Sequence, residues 1–275
     1  MNNTLQNFQF GVLERIATIE IPLPPFSEQK RIVGILSDRL TATDKARAAI
    51  ETQLKAAKAL PAAYLRQVFD SPEAQKRASC SIGKVAKVQS GYAFKSNWFT
   101  SSGIRLLRNA NVSQGFISWD VVVHIPNTEK DKFLSFKLSE GDIVLSLDRP
   151  LVNNGLKVSR LSSFDVPSLL LQRVGRFQLS EDIDASYLYA FLNSPKFIDS
   201  ISGHDQSIGV PHISPKQVES VKMPLPSLDK QKILAERAWE KISLSRSLCT
   251  SLQSQLSTIN KLPAALLWQA FNGEL

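Results

Sequence analysis

Residue types that build metal centres and disulfide frameworks are scarce in this chain of 275 residues. Its two cysteines, Cys80 and Cys249, are too few for a disulfide scaffold or a cysteine-rich zinc site. Its three histidines, His124, His204 and His212, have no metal-ligand spacing to cysteine or carboxylate. The sequence therefore predicts no metal site, and it favours a structural role for His124 in an apolar strand.

Long apolar runs are also missing. A membrane-spanning helix needs about 20 apolar residues, and the longest apolar runs here are a handful of residues. The segment Met1–Gln6 has no basic stretch followed by an apolar one, so no signal peptide is predicted. We therefore expect a cytoplasmic protein with no membrane partner.

The common catalytic motifs are absent as well. We find no Gly-x-Gly-x-x-Gly, no Gly-Lys-Ser/Thr, no Gly-x-Ser-x-Gly and no Asn/Asp-Pro-Pro-Tyr/Phe string. Asp142 and Asp148 flank a predicted strand, and we interpret both as turn and solvent residues. The sequence thus predicts a non-catalytic protein that needs no cofactor.

The charge that is present is positive and unevenly distributed. Lys and Arg number 33 against 25 Asp and Glu, a formal net charge of +8. Between Lys76 and Trp119 there are seven basic residues and no acid, and between Arg149 and Arg176 there are five against Asp165 alone. Segments without carboxylates can approach phosphates without self-repulsion. An ordinary solvated surface explains the same pattern, so both interpretations stay open here.

An internal repeat organises the chain. Ile21–Lys30 matches Met223–Lys232, and Leu60–Phe69 matches Leu262–Phe271, both at an offset of 202 positions. Each copy begins with a proline-rich stretch, which cannot be helical, and continues with apolar residues at helical spacing. We predict Ser27 and Asp229 as helix caps, and Pro61 and Pro263 as kinks or as first-turn prolines of a new helix.

The two predicted helices are each about 65 Å long if unbroken. Their apolar residues form a stripe suited to a partner helix, so we expect them to pair as an antiparallel coiled coil. The residues that we predict to make this pairing are Leu36, Leu40, Ile50, Leu54, Ile242, Leu248, Leu252 and Leu256.

The segment between the two repeats differs in character. Short β-branched runs at 82–88, 117–123 and 142–146 alternate with Gly, Asn and Ser clusters, which is typical of strands joined by turns. One helix is predicted near Ala185–Leu192, and a hinge at 71–79. The fold class is therefore α+β, with helical regions at 21–75 and 223–275 and a β-rich domain at 76–222.

At these residues the chain resembles the specificity subunits of type I restriction–modification enzymes. The resemblance rests on the repeated Pro-Leu-Pro and Gln-Lys motif and on three strings of the β-rich segment, which are Gly91–Ser96, Gly141–Ser146 and Gly209–Ser214. It implies a target recognition domain at 76–222 that reads half of a two-part site in double-stranded DNA. It also implies docking of methyltransferase (modification) subunits and, through them, of a restriction and translocation subunit.

Such subunits usually carry two recognition domains, whereas one is complete here. Residues 1–20 resemble only the last edge of another domain, because Val12–Glu20 aligns with Ser214–Lys222. A truncated or permuted subunit is therefore expected, and two copies pairing on one site is a further possibility. The alternatives are a truncated, inactive subunit and a coiled-coil scaffold for protein interactions without DNA specificity.

Candidate DNA contacts follow from the chemistry of readout. Arginine suits guanine, asparagine and glutamine suit adenine, and lysine or arginine suits phosphate. These residue types gather in predicted loops, where a turn or surface role is the alternative for each. The predicted set is Lys95, Arg105, Arg108, Asn109, Arg149, Asn153, Asn154, Arg173, His204, Gln206 and His212.

Overall fold

The computed structural model describes residues 23–152, 155–202 and 212–275, and only the backbone of residues 129–131. The helices are α1 (Phe26–Phe69), α2 (Pro72–Gln75), α3 (Ile82–Val85), α4 (Ala185–Leu192), α5 (Pro195–Ser202), α6 (Pro215–Ser220), α7 (Leu228–Ile259) and α8 (Leu262–Phe271). The strands are β1 (Ser79–Ser81), β2 (Ala86–Ser90), β3 (Ile104–Leu107), β4 (His124–Ile125), β5 (Ile143–Ser146), β6 (Leu151–Val152), β7 (Gly155–Leu156), β8 (Val158–Arg160), β9 (Ser168–Leu170), β10 (Val174–Leu179) and β11 (Lys222–Pro224).

The bounds of the long helices follow the sequence repeat. Phe26 and Leu228 begin α1 and α7, while Phe69 and Phe271 end α1 and α8, and both pairs are 202 positions apart. The prolines act differently in the two copies, since Pro61 lies inside α1 whereas Pro263 lies in the first turn of α8. Both long helices begin before the predicted caps, because the carbonyls of Pro25 and Ser227 already accept helical hydrogen bonds.

The chain divides into two compact units. The described part of unit 1 comprises 23–58 and 246–275, and unit 2 comprises 59–245. The boundaries fall inside α1 and α7, so each long helix belongs partly to each unit. The domain boundaries expected from sequence remain a prediction, and the edge expected at 1–20 lies outside the described residues.

Unit 1 is a pair of antiparallel helices. Leu54, Ala57 and Leu252 are buried together, with Ile50, Cys249 and Leu256 packed around them. Arg31, near the start of α1, donates from Nη2 to the carbonyl of Leu275 at the chain's end (2.6 Å). The start of one helix therefore meets the end of the other segment, as the predicted antiparallel coiled coil requires.

One of the predicted pairing residues, Leu248, is wrong, and six others lie along the helix pair as buried or half-buried side chains. Leu248 is 46% exposed, because its neighbour Cys249 takes the position facing α1. One step along an α-helix turns the side chain by about 100°, so the two cannot share that position. Ile242 is buried, but in the core of unit 2.

Unit 2 is built around a four-stranded antiparallel sheet in the order β2-β10-β5-β8. A second sheet, β4-β3-β9, pairs β3 with β9 in parallel and with β4 antiparallel. The main core joins the first sheet to α4, α5, the end of α1 and the start of α7. There the ring centre of Phe69 lies 5.1 Å from that of Tyr187 and 5.2 Å from that of Phe191.

Some of the elements predicted for the β-rich segment are confirmed and others are wrong. The strand at 142–146 and the helix at Ala185–Leu192 are confirmed. The run 82–88 begins as α3 and becomes β2 only at Ala86, and most of 117–123 is irregular. Two further helices, α5 and α6, were missed, although each has a proline in its first turn preceded by a serine that caps it.

Candidate functional site

The three strings that carry the family resemblance converge on one place in unit 2. Gly91 of the first string donates its N–H to the carbonyl of Val174 (3.1 Å). The second string ends at Ser146, and the next residue, Leu147, donates to the carbonyl of Arg173 (2.8 Å). Ile213 of the third string donates to the carbonyl of Leu147 (2.9 Å). Segments that are far apart in sequence thus meet around the end of β5.

Asp148 lies at the centre of this place. Its carboxylate accepts a hydrogen bond from Nη1 of Arg173 through Oδ2, while Nδ1 of His212 lies 2.7 Å from Oδ1. Only 8% of its side chain is exposed, so the interpretation of Asp148 as a solvent residue was wrong. Its partners lie 25 and 64 residues away along the chain, which hides the arrangement from a linear reading.

The electrostatics keep this carboxylate charged. Burial raises the pKa of Asp148, but hydrogen bonds and charges from Arg173 and His212 outweigh burial, so the net pKa lies below the usual value. The pKa of Arg173 is raised in turn, chiefly by its hydrogen bond to Asp148. The ion pair is therefore maintained over the whole neutral range.

Two arginines beside this carboxylate have left-handed backbones. Arg149 has φ +45° and Arg173 has φ +69°, and no other described non-glycine residue has a positive φ. Side chains with a Cβ rarely adopt this conformation, which costs about 1–2 kcal/mol per residue. Such strain is concentrated at functional sites, where the surrounding structure holds it in place.

A second polar group adjoins Asp148 through Ser146. Its hydroxyl lies 2.6 Å from the carbonyl of Asp148 and is also hydrogen-bonded to Oδ1 of Asn109. Lys157 donates from Nζ to the carbonyl of Asn109 (2.7 Å) and to its Oδ1 (3.0 Å). Burial lowers the pKa of Lys157, and the charge of Asp148 opposes that effect.

We call these six residues the Asp148 cluster: Asn109, Ser146, Asp148, Lys157, Arg173 and His212. With the exposed Arg149, which follows Asp148 in sequence, the site contains three basic side chains and one carboxylate. Such a surface can bind anions, and its arginines can donate paired hydrogen bonds to planar acceptors. Lys157 was missed among the site residues, although the acid-poor stretch Arg149–Arg176 contains it.

Arg105 and Arg108, both predicted to contact DNA, are engaged elsewhere. The guanidinium of Arg105 lies 4.4 Å from the ring centre of Trp119 and donates to the carbonyl of Phe164 (2.7 Å). Arg108 donates to the carbonyl of Val121 (2.9 Å). The structure therefore does not bring these two arginines into the Asp148 cluster, although Asn109 beside them belongs to it.

The remaining predicted residues fall in two groups. Lys95 is exposed before a short 3₁₀ turn, with its ammonium 5.9 Å from the ring centre of Trp98. It follows Tyr92, whose carbonyl accepts from the N–H of Gln172 (2.9 Å), next to Arg173. Asn153, Asn154, His204 and Gln206 lie outside the described residues.

Across the described ranges, no three His, Cys, Asp or Glu side chains are grouped as a metal site would need. Within the same ranges, no helix is sufficiently long and apolar to cross a membrane. His124 lies in β4, paired with Arg105 of β3, as a structural residue would.

Comparison with known proteins places the cluster inside a recognised domain. The model of the type I restriction modification DNA specificity domain matches residues 77–237, which include the Asp148 cluster. The EcoAI specificity subunit of Escherichia coli is 44% identical over 198 residues, or 71% of this chain and 33% of that protein. The MjaVIII specificity subunit of Methanocaldococcus jannaschii is 36% identical over 234 residues, or 80% of this chain and 54% of that protein.

Solved structures agree on the fold. A chain from a study of assembly and conformational transition of the type I R-M system has a TM-score of 0.72 at 17% identity, covering 93% of this chain and 62% of that one. The HsdS subunit of Thermoanaerobacter tengcongensis has a TM-score of 0.62 at 18% identity, covering 93% and 61%. This chain spans between a third and about half of the two curated relatives. Because the family model covers more than half of its residues, the chain belongs to the type I restriction modification DNA specificity domain family.

Proposed function

We propose that this chain is a non-catalytic DNA-specificity subunit whose unit 2 binds double-stranded DNA and reads part of a target sequence. One observation carries the proposal. The three strings typical of the family converge, within the matched domain, on an exposed surface that carries Arg149 and Arg173.

The chemistry of that surface fits the proposal. Cations supply most of the affinity for a duplex by displacing counterions from phosphates. Specificity needs side chains that donate to or accept from base edges in the grooves. The Asp148 cluster contains both kinds, since Arg173, Lys157 and Asn109 are held by hydrogen bonds around one buried carboxylate.

The helix pair of unit 1 supports the second part of the proposal, which concerns partners. Its described residues expose several large apolar side chains, namely Val33, Leu248, Leu267, Trp268 and Phe271. Exposed apolar side chains of this kind suit contact with another protein. We propose that it docks methyltransferase (modification) subunits and, through them, a restriction and translocation subunit in the cytoplasm. A second copy of the chain would supply the other half of a two-part target.

The decisive experiment maps DNA methylation in cells that contain the modification subunits, with and without this protein. We expect methylation at one recurrent sequence only when this protein is present. An unchanged methylation pattern, with the modification subunits intact, overturns the proposal and favours a scaffold without DNA specificity.

A binding measurement tests the surface itself. Arg149→Ala should weaken binding to duplex DNA and lower the slope of log affinity against log salt by about one, because one phosphate contact is lost. Arg39→Ala on α1 is the matched control, since it removes the same charge outside the proposed surface. Equal effects of the two substitutions contradict the placement of the interface on unit 2.

A further inference from the structure

The guanidinium of Arg173 is held at one end and open at the other. Nη1 donates to Oδ2 of Asp148, yet 62% of the side chain is exposed. The other carboxylate oxygen, Oδ1, is hydrogen-bonded to Nδ1 of His212 (2.7 Å). Asp148 is therefore fixed from two sides and in turn fixes the direction in which the guanidinium points.

The backbone of Arg173 is fixed as well. Its carbonyl accepts from the N–H of Leu147, and the N–H of the preceding Gln172 donates to the carbonyl of Tyr92. Its φ of +69° would be adopted with less strain by glycine or asparagine. The turn alone does not require arginine, so the reason for arginine at this position lies in its side chain.

The two remaining donor groups of Arg173, Nε and Nη2, have no hydrogen-bond partner within the described ranges. They form the parallel edge of a planar fork, whose spacing suits the O6 and N7 acceptors of guanine in the major groove. The guanidinium groups of Arg105, Arg108 and Arg176 instead donate to carbonyl groups of the protein. Arg149 is exposed but has no carboxylate holding it among the described residues.

We propose that Arg173 reads a guanine in the major groove through Nε and Nη2, and that Asp148 is the positioning residue that aims it. This assignment rests on the proposed DNA-binding function and deepens it. It differs from a phosphate contact, for which any cation would serve and no fixed orientation is needed.

The test is selection of bound sequences from a library of randomised double-stranded DNA by the full chain. The wild type should enrich a motif that contains a G·C pair read by Arg173. Arg173→Lys keeps the charge but loses the fork, so discrimination at that one pair should fall roughly 5- to 150-fold. The other motif positions and the salt slope should be unchanged. Arg173→Gly, which suits the left-handed turn, should lose the same position while the rest of the motif persists, and that persistence shows that the turn still folds.

The positioning role has its own pair of variants. Asp148→Asn removes the charge that holds Nη1, so discrimination at the same pair should fall while binding to non-specific DNA persists. Asp165→Asn is the matched control, because Asp165 is also a buried carboxylate but bonds Trp119 and Ser162 instead. A loss with Arg173→Lys but none with Asp148→Asn overturns the positioning role.

The outcomes separate the two proposals. A motif that survives Arg173→Lys at every position, or a uniform loss of affinity for all sequences, overturns base reading by Arg173. A wild-type selection that enriches no sequence at all overturns the proposed DNA-specificity function, and this assignment with it.

Discussion

Glycine is required at one residue of the site for a steric reason. A Cβ on Gly91 would lie 2.2 Å from the carbonyl oxygen of Leu171, a backbone atom that cannot move without displacing the strand beside it. Gly34, in the third turn of α1, has open space around it instead. The two glycines therefore differ in what an added methyl group would meet.

We expect Gly91→Ala to destabilise the protein by about 1–3 kcal/mol, because the added methyl group overpacks a fixed backbone. Gly34→Ala should stabilise it by about 0.5–1 kcal/mol, because alanine loses less backbone entropy in a helix. Thermal unfolding of the two variants and of the wild type measures whether each substitution lowers or raises the stability. Equal shifts in one direction contradict the steric argument.

Gln29 and Gln231 occupy equivalent positions near the starts of α1 and α7, but they form different hydrogen bonds. Gln231 is buried and donates from Nε2 to the carbonyls of Asp182 (3.0 Å) and Pro226 (2.9 Å), and its Oε1 accepts from the N–H of Asp184 (2.9 Å). Among the described residues, Gln29, 202 positions earlier, makes the equivalent of one of these bonds, to the carbonyl of Pro24 (2.8 Å). Gln231 thus ties the start of α7 to the loop before α4.

Replacing Gln231 by alanine should cost about 1–3 kcal/mol in the free energy of unfolding, because the backbone groups of Asp182, Asp184 and Pro226 lose the hydrogen bonds of a buried side chain. The same change at Gln29 should cost under about 1 kcal/mol, since its bond to the carbonyl of Pro24 is local. Denaturant titration of both variants makes the comparison. A Gln29→Ala effect as large as that of Gln231→Ala would refute the anchoring role.

Elements defined by local pattern were predictable from sequence, and those defined by distant partners were not. The offset of 202 gave the helix bounds because helical periodicity and proline act over a few residues. The run Ile117–Val123 has strand-like composition, yet only Val112 and Ile117 pair as a bridge there. The starts of α5 and α6 were predictable from the Ser-Pro pairs at 194–195 and 214–215, because serine caps a helix and proline suits its first turn. The Asp148 cluster could not be predicted from local sequence patterns, because its members come from five separate segments of the chain.

At the scale of the whole molecule, the proposed DNA-reading surface belongs to unit 2 and the proposed docking surface to unit 1. Trp268 on the helix pair is 61% exposed, and Phe164 on unit 2 is 86% exposed. Both are aromatic and lie outside the Asp148 cluster, so they provide a matched comparison.

We expect Trp268→Asp to abolish co-purification with the modification subunits while leaving binding to duplex DNA within about twofold, because the charge disrupts an apolar contact. Phe164→Asp should leave both measurements unchanged. The check is pull-down with modification subunits beside a DNA titration of each purified variant. Loss of DNA binding by Trp268→Asp alone would show that docking and reading are not separate.

The pairing of β1 with β11 determines how the segment between these two strands could be exchanged by recombination. Ser79 pairs with Pro224 and Ser81 with Lys222, so the segment from 82 to 221 departs from and returns to one pair of adjacent strands. Paired strands hold such ends about 5 Å apart. A domain whose ends meet at this spacing, and which also packs against the end of α1 and the start of α7, can replace the segment. Under the proposed function, recombination at these two strands would therefore exchange the specificity in one genetic step and leave the proposed docking helices unchanged.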